Sequence, residues 1–147
     1  MAQILNRQPV FTATPKIVAS NPRIYIPDAL MDNPTNLSPI YTDNSTYGSL
    51  ITRITVTGIC DLGEAISKKA IYLYIEDPIS ALTILYQTKV MDALVSRLDT
   101  SILPSVSFDL GGGISVAPGT IFSIGAGNSS GDRVAAVVES GQYEYAS

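Results

Sequence analysis

A few short stretches of this sequence have the residue types and spacing that chemistry needs. Gly127-Asn128-Ser129-Ser130-Gly131 matches the nucleophile-elbow pattern, in which a serine on a tight turn attacks an acyl carbon. That pattern requires a strand before it, a helix after it and a histidine base. The chain of 147 residues has no histidine, and residues 133–138 alternate as a strand would, so the stretch reads as a loop between strands. Gly125 and Gly127 make an even weaker dinucleotide-type signal, because the third glycine and the helix are missing. Asp61 with Glu64, and Glu76 with Asp77, are paired carboxylates of the kind used in acid/base work or calcium binding. No run of oxygen ligands at calcium-loop spacing surrounds them, and they read as solvated turn charges. Cys60 follows the apolar Ile59 and reads as a buried, inert thiol; as the single cysteine it permits no intramolecular disulfide. Asn36, Asn44 and Asn128 each begin a glycosylation sequon, which without a secretory leader is ordinary loop composition. Lys68-Lys69 is a basic spot of two residues only.

Composition excludes more than the motifs include. With 13 acidic and 9 basic residues the chain carries −4, against a nucleic-acid-binding surface. Charged residues make up 15% of it, below the roughly 25% of an average domain. Without histidine and with one cysteine there is no zinc site of the usual kind, and nothing points to a catalytic centre or a cofactor. The first residues lack a long apolar run after a basic start, which predicts no secretory leader. Nowhere do 18 apolar residues follow one another, which predicts no membrane-spanning helix.

Positioning any site falls to strands. Residues 51–57 alternate with Thr52, Ile54 and Val56 on one face, and residues 71–76 with Ile71, Leu73 and Ile75 inward. In the second case Tyr72 and Tyr74 point outward and make a flat amphipathic patch of the kind interfaces favour. Val106, Phe108 and Leu110 face in along residues 105–110, and residues 82–89, 114–116, 120–124 and 133–138 complete the set. Turn signals lie between them: Gly58, Asp77-Pro78, Leu103-Pro104, Gly111-Gly112-Gly113, Ala117-Pro118-Gly119 and residues 127–131. Their tight spacing predicts antiparallel hairpins over residues 111–131. Met91, Leu94, Val95 and Leu98 fall at helical spacing, and a long loop carrying one turn of helix is expected there. The first 47 residues differ. They hold Pro9, Pro15, Pro22, Pro27, Pro34 and Pro39, which forbid helix and favour extended chain. The expected organisation is an extended proline-rich N-terminal arm over residues 1–47 and a β-sandwich over 48–147. The sandwich is all-β, with two antiparallel sheets wired as a Greek key or jelly roll. Within the arm, Pro9, Val10 and Phe11, and Arg23, Ile24, Tyr25 and Ile26, are candidate interface residues. Each set is read as a strand added to a partner's edge, within an arm that lies on its own domain or on a neighbouring subunit.

Residues 48–56, the strand Ala70-Ile71-Tyr72-Leu73-Tyr74-Ile75, and residues 116–122 running on into 133–138 carry a family resemblance. Over roughly residues 40–141 the chain resembles small β-sandwich proteins from the structural-gene regions of tailed bacteriophages. Residues 59–69 and 89–103 replace shorter connections in that pattern. The resemblance implies a non-enzymatic virion protein, assembled in the host cytoplasm, that decorates or cements the capsid. Its partners would be the major capsid protein, other virion proteins and sister subunits in a homo-oligomer, with no nucleic acid and no membrane. The competing expectation is a receptor- or carbohydrate-binding sandwich on a tail or fibre, and a third is a hydrolase of unfamiliar type.

Overall fold

The computed structural model describes residues 7–9, 15–19, 24–25, 37–59, 68–93, 104–126 and 133–145. They form ten strands and, among the described residues, no helix. The strands are β1 (Arg7–Pro9), β2 (Pro15–Ala19), β3 (Ile24–Tyr25), β4 (Ser38–Thr42), β5 (Ser49–Ile59), β6 (Lys69–Glu76), β7 (Thr83–Met91), β8 (Ser105–Val116), β9 (Ile121–Ala126) and β10 (Arg133–Tyr145). All pairings are antiparallel. One sheet runs β10-β5-β8, with β1, β2 and β3 laid in succession along the far edge of β10; the other runs β4-β9-β6-β7. Hence the protein is all-β with two antiparallel sheets, sandwich-like in its packing. Ile54, Phe108 and Val138 of the first sheet join Ile71, Phe122 and Ile124 of the second in one buried hydrophobic cluster.

The period of two is why these residues form half-buried strands, and most faces lie where it predicts. Val106, Phe108 and Leu110 are buried while Ser105, Ser107 and Asp109 are exposed. Ile71 and Leu73 are fully buried and Ile75 packs against the cluster. Thr52 is the exception. It has no cross-strand partner in either ladder: the register with β8 passes from Ile51↔Ile114 to Arg53↔Asp109, and that with β10 from Ile51↔Ser140 to Arg53↔Glu139. This bulge shifts the alternation by one residue, so Ile51, Ile54 and Val56 are the buried set and Thr52 is only half-buried. Its hydroxyl donates to the Glu139 carbonyl at 3.2 Å.

The same bulge corrects the reading of Gly111-Gly112-Gly113 as a turn. These glycines lie inside β8 and, with Leu110, stand opposite the single residue Thr52. Gly111 (φ 66°) and Gly113 (φ 103°) take left-handed conformations that let the extra residues loop out without breaking the strand. The expected hairpins are corrected too. β8 and β9 lie in different sheets, as do β9 and β10, so the Ala117–Thr120 stretch carries the chain across the sandwich. Among the described residues β6–β7 is the one hairpin between successive strands.

Composition grouped residues 38–42 with the arm, yet they form β4, which pairs with β9 and buries Ile40 and Tyr41 in the core. Pro39 is accommodated because β4 is an edge strand. Met91 ends β7 fully buried; Leu94, Val95 and Leu98, and hence the expected helical turn, lie outside the described residues.

Candidate functional site

Among the described residues, the most fully hydrogen-bonded carboxylate is one that the sequence patterns did not single out. Asp43 is buried, and its carboxylate accepts hydrogen bonds from Tyr41 Oη (3.3 Å), Ser45 N (3.1 Å), Ser45 Oγ (2.9 Å) and Ser49 Oγ (2.9 Å). Its backbone N–H donates to the Thr120 carbonyl, and its carbonyl accepts from Gly119 N. A buried carboxylate stays only where its lone pairs are taken up, and here four donors do so. Burial, together with the negative charge of Asp43, raises the Tyr41 phenol above its usual range. The cluster clamps the β4–β5 connection to the β8–β9 crossing and offers no face to a substrate. Its sequence signal is an Asp two residues before a Ser, the signature of an Asx turn.

Beside this clamp lies an open cleft of about 410 Å³ lined by Tyr47, Ser115, Val116, Ala117, Pro118 and Tyr143. The hydroxyls of Ser115 and Tyr143 are hydrogen-bonded to each other. Gly48, next to Tyr47 in the chain, has φ 96°, and its carbonyl accepts from Tyr143 N at 3.0 Å.

A second, more apolar groove of about 320 Å³ opens where β7 of one sheet approaches β8 of the other. Ile75, Pro78, Ile84, Tyr86, Ile114 and Val116 line it. The β6–β7 turn stands at its rim. There the Asp77 carboxylate accepts from Ile79 N, Ser80 N and Ser80 Oγ (2.6 Å), which holds it below the usual carboxylate range. Asp77 is thus occupied in shaping the turn, in keeping with its reading as a turn charge. Ala81 completes the turn with φ 58°. The turn holds up Ile79, 90% exposed, and Leu82, 64% exposed; on β7 Ile84 is 64%, Tyr86 40% and Val90 59% exposed. Residues 82–89 alternate weakly because Tyr86 is an extra residue: Leu73↔Gln87 is followed by Tyr74↔Leu85. Apolar side chains on both sides of an edge strand were the available signal.

Other expected sites fare differently. Tyr72 and Tyr74 pack edge to face, ring centres 6.3 Å apart. Tyr72 is half-buried, but Tyr74 is fully buried, which corrects the reading of both rings as an exposed patch. Pro9 pairs with Tyr143, Ile24 with Val134 and Tyr25 with Arg133, all on this chain's own β10. Val10, Phe11, Arg23 and Ile26 lie outside the described residues, as do Cys60, Asp61, Glu64 and the loop 127–131. Lys69 is buried where a basic spot was expected, and desolvation lowers its pKa to about 8. Comparison with protein-family models, with curated proteins and with solved structures found no match.

Proposed function

We propose that this chain is a non-enzymatic virion structural protein of a tailed bacteriophage, a jelly-roll subunit that decorates or cements the capsid. The observation that carries the reading is the nesting of its strand pairs. β2 pairs with β10, β4 with β9, β5 with β8 and β6 with β7, each pair enclosed by the one before it in the chain. A long hairpin rolled around a barrel axis has this wiring, and the jelly roll recurs in viral capsid and lectin domains. A fold alone does not name a function. The resemblance to phage structural proteins and the exposed apolar strip on β7 favour protein docking over turnover. The reading makes the residues before β4 an arm in which β1, β2 and β3 run as successive short strands along a sheet edge. Its contacts with capsid protein or sister subunits would act as staples.

Quantitative mass spectrometry of purified particles tests the location. A copy number in step with the shell subunit supports decoration; one matching tail or vertex components overturns it. Deleting residues 1–14, which removes β1 and spares the β2–β10 pair, should leave a folded domain that no longer binds particles, and full occupancy by that truncated chain would refute the arm's role.

The second reading is a carbohydrate- or receptor-binding sandwich of a tail or fibre. It rests on the cleft between Tyr47 and Tyr143, two rings suited to sugar stacking beside the Ser115 hydroxyl. Specific binding on a glycan array, lost in Tyr143→Ala, would promote it.

A further inference from the structure

Among the described strands, three of the four sheet edges are guarded against pairing with another chain. Beyond β10 the edge is made by β1, β2 and β3, which are short and carry Pro9 and Pro15. Pro39 and a register shift interrupt β4, and the extra residue Tyr86 and the charge of Lys89 interrupt β7. Such devices keep unpaired backbone from recruiting a foreign strand. From Ser105 to Leu110, β8 lacks them: it has no proline, lysine or arginine, and its ladder with β5 runs unbroken from Ser105 to Asp109. Among the described residues β5 is the one strand that pairs with it.

Geometry fixes which backbone groups are open. Gly58 N donates to the Pro104 carbonyl, so in this antiparallel ladder Pro104, Val106 and Phe108 turn their backbone groups toward β5. Ser105, Ser107 and Asp109 turn theirs to the free edge, where the Asp109 carbonyl meets the Gln87 side-chain amide at 3.4 Å.

We propose that this edge pairs with the same edge of a second copy of the chain, antiparallel about a two-fold axis at Ser107, joining the two β10-β5-β8 sheets into one. The edge complements itself in that register. Ser107 meets its own counterpart and Ser105 meets the counterpart of Asp109, each pair exchanging both backbone hydrogen bonds. On the core side Val106 falls opposite Phe108, which continues the buried cluster across the seam. On the outer face Asp109, the single charge of the run, falls opposite a serine, so no like charges meet. Matching on both faces at once is what singles out a second copy over an unrelated strand. The seam is short, so the association is a reversible one. This pairing goes beyond the virion reading and does not rest on it.

Sedimentation velocity of the full chain, without particles, across a micromolar-to-millimolar series tests it. A monomer–dimer equilibrium is expected. Ser107→Pro, which removes an N–H that points away from β5, should weaken it at least about tenfold and keep the circular dichroism of the wild type. The register has its own test, because residues at position 107 meet across the axis. Ser107→Lys and Ser107→Asp should each weaken self-association, and mixing the two should restore a mixed dimer. A chain that stays monomeric throughout the series overturns the proposal, as does an oligomer indifferent to Ser107→Pro or a charge pair that fails to rescue. A monomer that takes up another protein's strand at this edge also overturns it, by assigning the edge to a different partner.

Discussion

At Lys69 an ammonium group sits almost wholly out of water, at the start of β6 and opposite the fully buried Met91. Desolvation brings its pKa from 10.5 to about 8, so the folded protein sheds this proton before the unfolded chain does. Between those two values the unfolded state holds the extra proton, and stability rises with pH by on the order of 1–3 kcal/mol. Below pH 8 the cost is present in full and constant. Tyr41 acts in the opposite sense, since a raised phenol pKa withdraws stability as pH climbs beyond 10. Urea melts from pH 7.5 to 10 should therefore show a rising midpoint in the wild type. Lys69→Met should melt higher at pH 7.5 and lose that rise. Two backbone positions make a contrasting pair. A Cβ at Gly48 would lie 2.5 Å from the Val116 carbonyl oxygen in a left-handed conformation, so Gly48→Ala should cost about 2–3 kcal/mol. Ala81 already carries a side chain at φ 58° in open solvent, and Ala81→Gly should gain up to about 1 kcal/mol. Thermal denaturation of both variants checks the opposed signs.

Among the elements, β5 and β8 determine how much of the fold is legible from residue types. The alternation of Val106, Phe108 and Leu110 identifies the buried face because one partner sheet covers it. The same rule fails at Thr52, since a bulge depends on the strand opposite and leaves no mark in its own alternation. Three glycines in a row read as a turn for the same reason: their left-handed conformations serve a hairpin and a looped-out bulge equally well. Gly113→Ala should separate the two roles. Its Cβ would fall 2.9 Å from the Leu50 side chain and 3.2 Å from the Ile51 carbonyl oxygen, whereas Gly111 faces nothing within 4 Å. Substitution at Gly113 should thus lower Tm by several degrees more than Gly111→Asn, a residue tolerant of the left-handed region. Of the candidate sites, Asp77 was readable as a turn charge because its partners are local in sequence. The Asp43 carboxylate also has local partners and an Asx-turn signal, but its backbone link to Thr120 and the groove at β7 were not readable, since Thr120, Ile114 and Val116 arrive only through the crossing between sheets.

Among the described residues, a few polar groups hold connections, Asp43 buried and Asp77 exposed, while large apolar side chains stay exposed on the β6–β7 turn, on β7 and at Val137. Asp43 and Asp77 spend their carboxylates on nearby backbone and hydroxyl groups, and Arg53 pairs loosely with Glu139 across β5 and β10 at 3.7 Å. That exposed pair contributes little, and Arg53→Ala should shift stability by less than about 0.5 kcal/mol in chemical denaturation. The placement of β10 has a different kind of consequence. The last strand of the chain lies between β5 and the first residues, with Arg7 opposite Tyr145 and Ile59 opposite Arg133. Its central place in the sheet is filled only when residues 133–145 reach it, long after β5 itself has been made. β5 must wait with one edge unpaired until those residues arrive, and such long-range pairing is slow.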